Sequence, residues 1–107
     1  MHGELLLVML KIKDWKNDMN VEYLERFISE IEELGKVNSN SFLEMVVSYA
    51  NSFIKYGEYE IALDNTLDNL YEESIFLDKE MISLARQAYG KTITSEQELV
   101  LQMFTKE

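Results

Sequence analysis

Neither cysteine nor proline occurs in this chain, its one histidine stands at position 2, and its four glycines are scattered singly at 3, 35, 57 and 90. Each absence excludes a chemistry. Without cysteine there are no disulfides, no thiolate metal sites and no cysteine nucleophile, a usage that suits the cytosol. His2 alone supplies no histidine-based acid–base machinery, and it reads as a terminal residue without a role. Isolated glycines, each at a terminus or an expected helix end, do not make a phosphate-cradling loop. The lack of proline removes the strongest breaker of helix interiors.

Bases are scarce as well. Twenty acids stand against ten lysines and arginines, for a formal net charge of −10. Phosphates would be repelled, which argues against nucleic acid as a ligand and for a basic partner, with simple solubility as the competing reason for the charge. Long apolar runs are missing too. The run LLLVML, residues 5–10, is too short to span a bilayer and lacks the basic start and cleavage pattern of a signal peptide, so it reads as core. What remains is a chain of 107 residues, 47% hydrophobic, which suits a single domain, residues 1–107, with a hydrophobic core of its own.

Apolar spacing points to helix nearly throughout. Leu24, Phe27, Ile28, Ile31 and Leu34 recur at three and four residues, and Gly35 stands where helices favour glycine just past their end, so a helix is expected near 21–34. After the polar GKVNSN, Ser41 and Glu44 have capping-box spacing and lead into Phe42, Met45, Val46, Tyr49 and Phe53. That helix should run to about Tyr56 and stop at Gly57. Tyr59, Ala62, Leu63, Leu67, Leu70 and Tyr71 then trace the apolar face of a third helix, and the short link makes 42–56 and 58–73 an antiparallel hairpin. SIFLD reads as a turn whose Asp78 caps the next helix, with Met81, Leu84, Ala85 and Ala88 inward and Gly90 at its end. Ser95 and Glu98 repeat the capping-box spacing before Leu99, Val100 and Met103. LLLVMLKIKDW fits a helical face through Leu5, Val8, Met9, Ile12 and Trp15, and alternates as a strand through Leu10 and Ile12; helix is the expectation. The fold class is therefore all-α, a compact bundle of five or six short helices around a central antiparallel hairpin.

The negative charge is local. Residues 57–80 hold eight acids against Lys79, and residues 21–35 hold five glutamates against Arg26. Glu60, Asp64, Asp68 and Glu72 follow one another every four residues with no base among them. Each like-charged pair at that spacing costs about 0.2–0.5 kcal/mol. Such a row is either a solvated face or the face of a partner that brings the missing positive charge. Reversing Asp64 and Asp68 to lysine should leave the helix as stable as before, or slightly more so. Tyr49, Phe53, Tyr59 and Tyr71 read as core, whereas Tyr56, beside Gly57 and Glu58, reads as exposed and suited to anchor an arginine or lysine. Three carboxylates along one straight helix cannot wrap around a cation, so neither a metal nor a cofactor is expected. No catalytic residue stands out, and an enzyme is not expected.

The segment YGEYEIALDNTLDNLYEES, followed by LDKEMISLARQA, resembles the small MafI-like immunity proteins of bacterial polymorphic toxin systems, which are related in role to the CdiI-type immunity proteins of contact-dependent growth inhibition. The likeness spans roughly residues 50–88, through Gly57, Glu58, Ala62, Leu63, Leu70, Tyr71 and Glu72. It implies a cytoplasmic monomer that neutralises a cognate protein toxin, often a nuclease, in a 1:1 complex. It also implies that Tyr56, Glu58, Glu60, Asp64, Asp68, Glu72 and Glu73 meet the toxin, the acids taking the place of phosphates in a basic groove. Two other readings stay open: an acidic helical adaptor or regulatory module that binds a basic protein or peptide helix through an apolar groove, and a small enzyme with a carboxylate site. Neutralisation through the acids should be strongly salt-sensitive, and groove binding should not.

Overall fold

The backbone N–H of Asn20 donates to the carbonyl of Ala88 at 2.8 Å, tying the first helix to the end of the fourth. The structure, a computed structural model, describes residues 19–104, so the readings of the LLLVML run and of residues 1–18 lie outside the described residues. Five helices follow in order: α1 Val21–Val37, α2 Ser41–Lys55, α3 Tyr59–Glu72, α4 Lys79–Tyr89 and α5 Ser95–Phe104, with a 3-10 turn, Gly90–Thr92, before the last. No strand occurs among the described residues. The fold is all-α, as the spacing predicts.

α1 packs against α4 and α2, and α2 against α3. Leu24, Phe27, Ile28 and Ile31 of α1 meet Ala62, Leu63, Leu67 and Leu70 of α3 and Met81, Ile82, Ala85 and Ala88 of α4 in one core. Each fully buried side chain of leucine size contributes about 1.5–3 kcal/mol, which far outweighs the local repulsion along α3. Thr66, the one buried polar side chain among the described residues, donates its hydroxyl to the Ala62 carbonyl at 2.7 Å. The hairpin of α2 and α3 turns at Gly57, whose φ of 74° lies in the left-handed region, and Glu58 N–H closes the turn onto the Phe53 carbonyl at 3.0 Å.

Several local expectations shift by a residue or by a face. Gly35 does not end α1: the helix continues to Val37, and Gly35 is buried where α1 crosses α2. A Cβ on Gly35 would stand 3.2 Å from Leu43 Cβ, so glycine permits the close approach of the two helices. Asn40, not Ser41, caps α2, its side chain accepting from Phe42 N–H at 3.0 Å and Leu43 N–H at 3.2 Å. The buried face of α2 is Leu43, Val46, Val47 and Ala50, which leaves Met45 and Tyr49 exposed, not in the core. Thr94 and Gln97 form the box before α5, one residue ahead of the expected Ser95 and Glu98. Leu101 and Phe104 are its buried residues, and Leu99 faces outward. Asp78 caps α4 as expected, accepting from Met81 N–H at 2.8 Å.

Candidate functional site

The period of four on α3 keeps Glu60, Asp64, Asp68 and Glu72 on one side of the helix, but α5 lies beside the first half of the row. The local sequence TSEQ explains how. Thr94 Oγ1 accepts from Gln97 N–H at 3.1 Å, and Gln97 Oε1 accepts from Thr94 N–H at 2.9 Å, so the cap fixes the oxygen end of the Gln97 amide. Its nitrogen is thereby aimed at α3, where Nε2 donates to Glu60 Oε2 at 2.6 Å and to Asp64 Oδ1 at 3.2 Å. Tyr89, the last residue of α4 and only 2% exposed, donates its hydroxyl to the same Asp64 oxygen.

Asp64 is thus half-buried, with two neutral donors and no cation. Burial pushes its carboxyl above the ordinary range; the hydrogen bond from Tyr89 opposes the shift, and the neighbouring charge of Glu60 adds to it. Burial and the facing carboxylate of Asp64 likewise push the Tyr89 phenol up, which keeps it a donor. The reading of Asp64 as reversible to lysine concerns the isolated helix; here the reversal would give up the two hydrogen bonds that the Asp64 carboxylate accepts from Tyr89 and Gln97 and would set an ammonium against the Gln97 amide nitrogen, a donor.

An open cleft of about 380 Å³ lies over this junction. Four carboxylates line it, Glu60, Asp64 and Asp68 from α3 and Glu96 from α5, and no lysine or arginine does. Among the described residues the one ion pair is elsewhere: Arg86 grips Glu98 through two bonds of 2.8 and 2.7 Å, fastening α4 to α5. That contact holds the Glu98 carboxyl below its ordinary range and the Arg86 guanidinium above it. The acids of α3 therefore carry no neutralising partner among the described residues. No cluster of three or more acids, histidines or cysteines there is arranged to hold a metal, and no helix there is long and apolar enough to cross a membrane.

The remaining candidates stand apart from the cleft. Tyr56 is 75% exposed at the hairpin turn, with the Lys55 ammonium 6.0 Å from its ring centre. Glu58 precedes α3 without a side-chain capping bond. Glu72 and Glu73 lie at the far end of α3, where Glu72 borders a separate apolar groove with Tyr71 and Phe76. Tyr71 is 46% exposed there, contrary to its reading as core, and meets Phe104 edge to face at 5.8 Å. Tyr89, Glu96 and Gln97 were not among the sequence-derived candidates. The Thr-x-x-Gln spacing carries a signal for Gln97; nothing local marks Tyr89. No family model matches the chain, and neither a curated protein nor a solved structure matches it.

Proposed function

We propose that this chain is an immunity protein that binds a basic toxin, most readily a nuclease, through the acidic face of α3 and the start of α5. The observation that carries the reading is the cleft in which Glu60, Asp64, Asp68 and Glu96 converge with no base among the lining residues. A site that holds like charges together while the protein is alone is relieved when a partner supplies cations, and complementary fields of this kind speed encounter. The exposed Glu58 at the hairpin turn adds a further acid at the start of α3, beside the exposed ring of Tyr56. The resemblance of residues 50–88 to MafI-like immunity proteins supports the same role. The chain acts by occupying its partner and performs no chemistry on it.

A second reading, an adaptor that seats a peptide helix, is favoured by the apolar groove between Tyr71, Phe76 and Phe104. Titration of the purified chain with basic nuclease toxins, at low and at high salt, separates the two. Capture through the cleft weakens at least tenfold as salt rises through the range that screens exposed charges. An affinity indifferent to salt would contradict the electrostatic reading and favour the adaptor.

A further inference from the structure

Helix dipoles meet a cation at the C-terminal end of three of the five described helices. α1, α2 and α4 carry Lys36, Lys55 and Arg86 in their last turns, where a cation meets the negative end of the helix. α3 carries none, and neither does α5 as far as Phe104, where the described residues end. These two helices end side by side, joined by the contact of Tyr71 with Phe104, and α3 adds Glu72 and Glu73 to its already negative end. Between them lies an open groove of about 710 Å³.

The floor of that groove is apolar, and its most prominent side chain is there by construction. Ser74 takes a φ of 54°, and Ile75 N–H bonds back to the Leu70 carbonyl at 2.9 Å, which ends α3 abruptly. Ile75 and Leu77 then turn inward onto the core, so the extended alternation drives Phe76 outward, where it is 78% exposed. Met103 and Ile75 complete the lining. Folding leaves an aromatic ring in water here when a polar residue would serve the turn equally well, and exposed apolar concavities of this kind mark binding sites.

We infer that this groove docks a short amphipathic, cationic segment of the partner protein, an apolar side chain seated against Phe76 and Met103 with a lysine or arginine beside it at Glu72, Glu73 and the end of α3. The charge complementarity selects this occupant: an acidic or neutral apolar segment would leave the negative end of α3 and both its glutamates unanswered. The inference rests on the toxin-binding reading in that it gives the same basic partner a second, apolar foothold.

The test uses the full-length protein and two synthetic peptides that share one set of apolar residues, one flanked by lysines and the other by glutamates, followed by NMR. The cationic peptide is expected to shift Ile75, Phe76 and Met103 and to bind at least about tenfold more tightly than the anionic one. Phe76→Ser, at an exposed position that the fold does not need, should weaken it about tenfold or more. Glu72→Lys with Glu73→Lys should abolish the preference for the cationic peptide. Asp68→Lys with Glu96→Lys, in the separate cleft, should leave the cationic peptide's affinity within about threefold, additivity holding for distant sites. Equal binding of the two peptides, or no effect of Phe76→Ser, would overturn the proposal. So would contacts between residues 5–10 and Phe76 within one chain, or a dimer that Phe76→Ser dissolves, since either names another occupant. Loss of the cationic peptide in the cleft variant alone would move the site to the cleft and leave the toxin-binding reading standing.

Discussion

The Tyr89 hydroxyl reaches from the end of α4 to the Asp64 carboxylate in the middle of α3, at 2.5 Å and across 25 residues of sequence. With Gln97 on the same oxygen, this bond turns one member of the acidic row into a joint between three helices. Tyr89→Phe removes the donor and leaves a half-buried carboxylate with Gln97 alone, and it should destabilise the fold by about 1–2 kcal/mol. Asp64→Asn keeps an acceptor and removes the crowded charge, so it should melt at or above the wild-type temperature at neutral pH. Thermal unfolding followed by circular dichroism checks both.

The same joint gives a signed dependence on pH. Burial, opposed by the Tyr89 bond and reinforced by Glu60, holds the Asp64 carboxyl above its ordinary value of 3.8. An acid raised in this way holds its proton more readily folded than unfolded. Its contribution to stability is therefore fully present below the unfolded value and is lost as pH rises through the folded one. Glu98, lowered by Arg86, acts in the opposite sense, and it is present in wild type and variant alike. Melts of wild type and Asp64→Asn from about pH 4 to pH 7, a range that starts near the ordinary carboxylate value, should thus show the wild type falling behind the variant as pH rises. A gap that shrinks with rising pH would mean that Asp64 is not the strained acid.

What the sequence discloses is the class of fold and the position of each helix among the described residues; what it hides is which helix covers which face. The hairpin, the Asp78 cap and the stop at Gly90 follow from local chemistry and stand in the structure as read. The acidic row is local too, but its division into a covered half at Glu60 and Asp64 and an open half beyond depends on where α5 lies. α2 has apolar residues around more than half of its circumference, so periodicity alone selects Met45 and Tyr49 as readily as Val47 and Ala50. Where two capping residues stand together, as at Asn40–Ser41 and Thr94–Ser95, the backbone chooses the first of each pair. Gly35 resembles a helix terminus because its true constraint, Leu43 on another helix, is tertiary.

The caps can be told apart by mutation. Asn40→Ala removes the acceptor for two N–H groups at the start of α2 and should cost about 1 kcal/mol. Ser41→Ala, one residue on and without a capping bond, should change the midpoint of urea unfolding hardly at all. Equal losses in the two variants would return the cap to Ser41.

Two glycines should respond to alanine for different reasons. At Gly57 nothing stands within 4 Å of an added Cβ, but φ is +74°, so alanine should cost about 1–2 kcal/mol in backbone strain. At Gly35 the backbone is helical, which favours alanine by up to about 1 kcal/mol. The new methyl meets Leu43 Cβ at 3.2 Å, an atom that no rotamer change can withdraw, so the helices must part at a cost of about 1–3 kcal/mol. Gly35→Ala should therefore be destabilising on balance and Gly35→Val more so, whereas at Gly57 asparagine should restore much of the loss. Urea midpoints of the four variants check the contrast.

The most direct measurement of the proposed acidic interface is protection of growing cells. Asp68 and Glu96 are exposed and line the cleft, and neither makes a hydrogen bond that holds the fold, so Asp68→Lys with Glu96→Lys should fold and melt as the wild type does. In cells that express a basic nuclease toxin of the kind proposed as the partner, the wild-type protein is predicted to restore growth. The double reversal, equally abundant, is predicted to lose protection, with toxin affinity reduced at least about a hundredfold by like charges brought into contact. Full protection by the folded double variant would contradict capture through the cleft.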